Sequence, residues 1–235
     1  MSPLVILPGW ALGRAPLAAS AEALGGTIID LPGYGATPAC DDFAATVDAI
    51  AEQLEPGATL AGWSLGALLA LAVAARAPAK VGKLLLLAGT ASFVQRNGWP
   101  EAMPPATLAE FASAIAADPA TPLRHFVAGF NRGDARARAV TAELLRMAAL
   151  PPTDVLTSGL AWLRDVDLRA EAPRVTAPTL LVHGAADPLM PLAAGQALAS
   201  LIPGARLSVL DDCAHAPFLS RPADFVAAVA PFVHD

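Results

Sequence analysis

Gly62-Trp63-Ser64-Leu65-Gly66 sets a serine between two glycines, after an apolar run at 59–61 and before a helical run at 65–76. A G-x-S-x-G pattern in that strand-to-helix context turns the chain so tightly that the serine Oγ stands above the sheet edge. The glycines carry no Cβ to hold strand and helix apart. Such a serine can attack a carbonyl if a base removes its proton, so the chemistry would be acyl transfer through a serine ester. The same turn aims the Leu65 N–H, at the start of a helix, toward the oxyanion that would form.

The sequence holds four histidines. His125 falls in a helical stretch, His183 at a strand end where a structural role is expected, and His234 in the tail. His215, in Asp212-Cys213-Ala214-His215-Ala216-Pro217-Phe218, follows the last strand-like run and can reach the top of a sheet as the general base. The acid that fixes its tautomer should also follow a strand, and Asp187 in His183-Gly184-Ala185-Ala186-Asp187-Pro188 does so. Ser64, Asp187 and His215 then stand in the chain order Ser…Asp…His. Asp211 and Asp212 are rivals for the acid, with helix capping as their other expected role.

A second oxyanion donor should come from a loop after an early strand. Leu7-Pro8-Gly9-Trp10 offers the Trp10 N–H, with Gly9 easing the turn. Asp30-Leu31-Pro32-Gly33-Tyr34-Gly35 is a glycine-rich turn after the second strand. It is no dinucleotide fingerprint, because Pro38 stands where the third glycine belongs, and no phosphate-binding G-x-x-x-x-G-K pattern occurs. No nucleotide or other cofactor is expected.

These residues need a sheet to hold them. Short apolar runs bounded by Gly or Pro recur at 4–7, 27–29, 59–61, 84–87, 180–182 and 207–210. They lack polar alternation, as parallel strands covered on both faces do. Helical stretches at 43–54, 65–76 and 193–201 lie between them, predicting an α/β fold of about six mostly parallel strands with helices on both faces. The alternation breaks from 91 to 172. Helical patterns at 108–117, 123–130, 135–149 and 155–163 follow one another there, punctuated by Pro119, Pro122, Pro151 and Pro152. The expected organisation is a core of residues 1–90 and 173–235 with a helical cap insertion at 91–172, lying over the carboxyl edge where such sheets bind ligands.

Composition narrows the rest. The 235 residues are 55% hydrophobic and 15% charged, enough for a large core and unlike a disordered chain. A net charge of −6 argues against a nucleic-acid partner. The N-terminus has no basic region and meets Pro and Gly early, so the expected location is cytoplasmic. Residues 56–75 are uncharged, but Gly62–Gly66 divides them into a strand and a helix too short to span a bilayer, so no membrane association is expected. Cys40 and Cys213 form no disulfide framework and sit near no ligand at zinc-site spacing, so free thiols and no metal are expected.

Taken together, these motifs resemble the α/β-hydrolase superfamily and, within it, the pimeloyl-[acyl-carrier protein] methyl ester esterases of biotin synthesis. The similar stretches are Leu7-Pro8-Gly9-Trp10, Asp30-Leu31-Pro32-Gly33-Tyr34-Gly35, Gly62-Trp63-Ser64-Leu65-Gly66, Val166-Asp167-Leu168-Arg169 and His215-Ala216-Pro217-Phe218-Leu219. The likeness runs over nearly the whole chain and is weakest in the insertion. Most relatives carry His-Gly where this chain has Pro8-Gly9, and the chain starts at what corresponds to the family's third strand, which leaves about six strands.

The resemblance implies hydrolysis of the methyl ester on a pimeloyl chain borne by acyl-carrier protein, by a protein expected to be monomeric. Trp10, Trp63, Leu65, Phe126, Phe130 and His215 would contact the substrate, Phe126 matching the family's cap aromatic. Core packing is the other reading of these aromatics. Carrier proteins are acidic, and Arg124, Arg132, Arg136, Arg138 and Arg146 outnumber Asp134 and Glu143 in one stretch, forming either a dock or a solvated helix face. Two other functions stay open: a general carboxylesterase or thioesterase on small acyl substrates, and a catalytically idle ligand-binding protein of the same fold.

Overall fold

The computed structural model describes residues 2–235. Six strands, β1 (Leu4–Leu7), β2 (Gly26–Ile28), β3 (Ala58–Trp63), β4 (Val81–Leu87), β5 (Thr179–Gly184) and β6 (Arg206–Leu210), form one sheet in the order β2-β1-β3-β4-β5-β6. Every adjacent pair is parallel. All residues of β1, β3 and β5 are buried. Successive side chains point to opposite faces, so both faces are covered. That double burial is why these runs read as continuous apolar stretches. The observed β2 lies one residue earlier than the pattern at 27–29.

The described residues form ten α-helices: α1 (Ala18–Leu24), α2 (Phe43–Gln53), α3 (Leu65–Arg76), α4 (Pro105–Ala117), α5 (Ala120–Phe130), α6 (Ala137–Met147), α7 (Thr153–Asp165), α8 (Leu192–Leu201), α9 (Pro217–Ser220) and α10 (Pro222–His234). The Asp42 carboxylate caps α2 by accepting from Ala44 and Ala45 N–H. Helix α1 packs on α10 and α2 on α3. Sequence patterning singled out neither α1 nor α10. Among the described residues no helix is long and apolar enough to cross a bilayer.

Between β4 and β5 the chain makes its long excursion through α4–α7. Its two ends are tied together. Ser92 and Asp167 pair as an isolated antiparallel bridge, and Leu168 N–H donates to Ala91 O at 2.8 Å. The Asp167 carboxylate is held by Arg169 at 2.8 Å, which keeps its pKa below the usual range, and the Arg169 guanidinium reaches on to Asn97 O.

The strand order reverses at β1: the chain leaves it toward β2 on one side and returns to β3 on the other. A crevice opens where connections diverge this way, at the strands' carboxyl ends. Leu7 is in register with Gly62, so the loop after β1 and the turn after β3 are neighbours there.

Candidate active site

Ser64 occupies the turn between β3 and α3 with φ 56° and ψ −115°, a strained backbone for a residue with a Cβ. The elbow is this tight because its glycines permit it. A Cβ on Gly62 would overlap the Gly66 carbonyl, and one on Gly66 would overlap the Leu7 carbonyl. Ser64 N–H donates to Leu87 O of β4 at 3.0 Å, anchoring the turn. The Ser64 hydroxyl makes no capping bond to α3, so it is not spent on its own helix. Leu65 is the first residue of α3, and its N–H is among those a helix leaves without an internal partner.

Asp187 and His215 are brought together. Their loops follow β5 and β6, whose ends are paired at Gly184 and Leu210. The His215 Nδ1–H donates to Asp187 Oδ2 at 2.7 Å, with both side chains all but fully buried. Asp187 Oδ1 accepts from Leu189 and Met190 N–H, each at 2.9 Å. Both carboxylate oxygens are therefore used, and with Nδ1 as donor the neutral imidazole keeps its lone pair on Nε2. Ser64 and His215 line the same cleft. Asp212, the rival acid, has an exposed side chain 3.4 Å from Arg221 and caps no helix.

His183 is fully buried and its Nε2–H donates to Met190 O at 2.8 Å. It thus ties the Asp187 loop back to β5. Burial holds its imidazole below the ordinary pKa, which keeps the ring neutral.

The Trp10 loop is braced by a residue that motif reading passed over. Tyr34 Oη accepts from Ala11 N–H at 2.8 Å. Burial pushes the phenol's pKa up to about 12. Arg14, farther along that loop, pairs with Asp30 at 2.8 Å. The glycine-rich turn after β2 is thus a support for the candidate oxyanion loop.

Aromatic rings line the crevice in sequence. Trp10 meets Phe111 and Phe126 edge-on at 5.7 and 5.5 Å, Phe126 meets Phe130 at 5.2 Å, and Phe130 lies 5.1 Å from the His215 ring. The cleft holding Ser64 and His215 is walled by Trp10, Trp63, Phe93, Phe126 and Phe130, and its free volume is about 10 Å³. Behind Phe93, Phe126 and Leu163 lies an apolar cavity of about 130 Å³ that also touches Phe111. Sequence reading missed Phe111, although Leu108, Phe111 and Ile115 share one face of α4.

Two of the expected substrate contacts have other duties. The Trp63 indole N–H donates to His215 O at 2.8 Å, so Trp63 holds the His215 backbone as well as walling the cleft. Leu65 lines a separate hollow that Trp10 also borders, with Leu31 and Val155. The five arginines are all exposed along α5, α6 and the turn between them, and among the described residues none pairs with a carboxylate. One is engaged all the same: Arg136 Nη1 donates to the Leu219 and Ser220 carbonyls at 3.2 and 3.1 Å.

A serine on a strained elbow above a parallel sheet, with a buried His–Asp pair beside it, defines an α/β hydrolase. The sequence matches the alpha/beta hydrolase family over residues 4–229, and the chain belongs to that family. It is 41% identical to the pimeloyl-[acyl-carrier protein] methyl ester esterase of Aromatoleum aromaticum, covering 98% of this chain and 97% of the relative. It is 36% identical to the esterase of the same name from Nitrosomonas europaea, covering 95% and 92%. Among solved structures, an esterase from Exiguobacterium antarcticum superposes with a TM-score of 0.91 at 24% identity, covering 100% of this chain and 92% of the other.

Proposed function

We propose that the protein is a serine carboxylesterase that hydrolyses the methyl ester of a pimeloyl chain carried by acyl-carrier protein, a step of biotin synthesis. The observation that carries the chemistry is the buried 2.7 Å Asp187–His215 pair in the cleft that holds Ser64. The choice of ester rests on relatives bearing that name over nearly the full length of the chain.

In this reading Ser64 Oγ attacks the ester carbonyl while His215 Nε2 takes its proton. Asp187 steadies the imidazolium that results. The carbonyl oxygen becomes an oxyanion facing the Trp10 and Leu65 N–H groups. Methanol leaves with the proton from His215, and an acyl-enzyme on Ser64 remains. Water then attacks, His215 takes its proton, and the free carboxyl is released as Ser64 regains its hydrogen.

Residues 91–172 serve as a cap over the core of 1–90 and 173–235. A cleft of about 10 Å³ holds about one water, so cap or side chains must shift to admit an acyl chain. The aromatic wall, with Phe126 and Phe130, suits a methylene chain. The exposed arginines of α5 and α6 suit an acidic carrier.

The test is hydrolysis of methyl pimeloyl-carrier protein in vitro, paired with rescue of a biotin auxotroph lacking its methyl esterase. Wild type should do both and Ser64→Ala neither. Hydrolysis of short free esters without rescue would favour a general esterase instead.

A further inference from the structure

We infer that Asp134, in the cap turn between α5 and α6, is a positioning residue that fixes the His215 loop. The inference rests on His215 being the catalytic base. Asp134 is 7% exposed, and its carboxylate is fully engaged. Oδ2 accepts from the N–H of Ala214, the residue before His215, at 2.9 Å. Oδ1 accepts from the Ser220 hydroxyl at 2.8 Å and from Arg136 N–H at 2.7 Å.

The neighbouring residues reinforce this grip. Ala135 N–H donates to Asp212 O at 3.0 Å, and Arg136 donates to the Leu219 and Ser220 carbonyls. Three consecutive residues of the cap turn therefore hold the segment 212–220 on both sides of His215. That segment needs holding, because Asp212 has φ 54° and lies in a loop with no strand partner. Phe130, four residues before Asp134 at the end of α5, lies 5.1 Å from the His215 ring.

The base thus has three separate restraints: Asp187 on its Nδ1, Trp63 on its carbonyl and Asp134 on the peptide preceding it. Asp187 belongs to the loop after β5, and Trp63 to β3 itself. Asp134 alone comes from the helical excursion. A charged acceptor suits the position, since hydrogen bonds to a carboxylate are stronger than neutral ones and two of its donors lie 80 and 86 residues away in sequence.

The test compares Asp134→Ala, Asp134→Asn and Ser220→Ala with His215→Ala, on a short p-nitrophenyl ester. Small misplacements of a catalytic group can cost about 100-fold in rate. Asp134→Ala should lower kcat by about 10- to 100-fold with KM within about twofold, and should broaden the low-field proton signal of the His215–Asp187 hydrogen bond. Asn keeps an acceptor for Ala214 N–H and should restore most of kcat. Ser220→Ala removes one bond and should cost less than Asp134→Ala. If Asp134→Ala fails to fold, Ser220→Ala decides: unchanged kcat together with a sharp low-field signal in that variant would overturn the inference. So would unchanged kcat in Asp134→Ala while His215→Ala is inactive. Activity retained by His215→Ala would instead overturn the triad reading beneath it.

Discussion

Asp187 and His215 meet at 2.7 Å with 0% and 1% of their side chains exposed, and each is also fixed from behind. Leu189 and Met190 hold the far carboxylate oxygen, and Trp63 holds the histidine carbonyl. Asp187→Asn preserves shape but presents N–H to Nδ1, which forces the other imidazole tautomer and removes the lone pair from Nε2. We expect kcat on a p-nitrophenyl ester to fall by about 10³- to 10⁴-fold with little change in thermal midpoint, read by stopped assays and calorimetry.

Tyr34 makes a second prediction, on pH. Its phenol is pushed up from 10 to about 12 by burial. The fold therefore favours the neutral phenol. The stability this contributes is complete below pH 10 and is lost as pH rises to about 12, amounting to roughly 3 kcal/mol. Tyr34→Phe should flatten that alkaline limb in urea titrations. It also leaves Ala11 N–H without its acceptor, costing about 1–3 kcal/mol at neutral pH and slackening the Trp10 loop.

Cys213 is fully buried, and burial pushes its thiol up to about 12, whereas Cys40 is partly exposed. Alkylation by iodoacetamide on native protein at neutral pH should mark Cys40 alone, as seen by peptide mass spectrometry.

Phe126 stands between the cleft and the cavity of about 130 Å³ behind it. Phe126→Ala should join the two. The ratio of kcat/KM for p-nitrophenyl hexanoate to that for acetate should rise by about 10-fold, in line with the few kcal/mol that added methylene burial supplies. An unchanged chain-length profile would remove this cavity from the acyl path.

Carrier docking is best tested at Arg124 and Arg138, since Arg136 also holds the segment around His215. Charge reversal at both should raise KM for carrier-bound substrate by about 10-fold and leave small esters within about twofold, with the difference shrinking in high salt.

Much of the sheet was legible because β1, β3 and β5 are apolar and buried on both faces, while the edge strands β2 and β6 are half-exposed. Helix α3 fell on its expected bounds at 65–76, and the four helices of the excursion lie within a few residues of their patterns. Ser64, Asp187 and His215, the proposed triad, were legible as motifs at strand ends. Their supports were not. Asp134 read as a counter-charge among arginines, because its partners Ala214 and Ser220 come from the far end of the chain. Tyr34 read as part of a turn, because its partner Ala11 lies 23 residues earlier, after the neighbouring strand β1. Helix α10 begins and nearly ends with proline, at Pro222 and Pro231, which masks its periodicity.

Trp10 has one further consequence. Its indole N–H donates to Leu156 O of α7 at 2.9 Å, while its peptide N–H is the proposed second oxyanion donor. Swinging α7 outward to let an ester in would break that indole bond and loosen the very residue that must greet the oxyanion. Charge stabilisation would then be withheld while the lid is ajar and supplied when it shuts. A catalyst that worked this way would discriminate by latching, and an ester too bulky to let α7 settle back would bind without being cleaved.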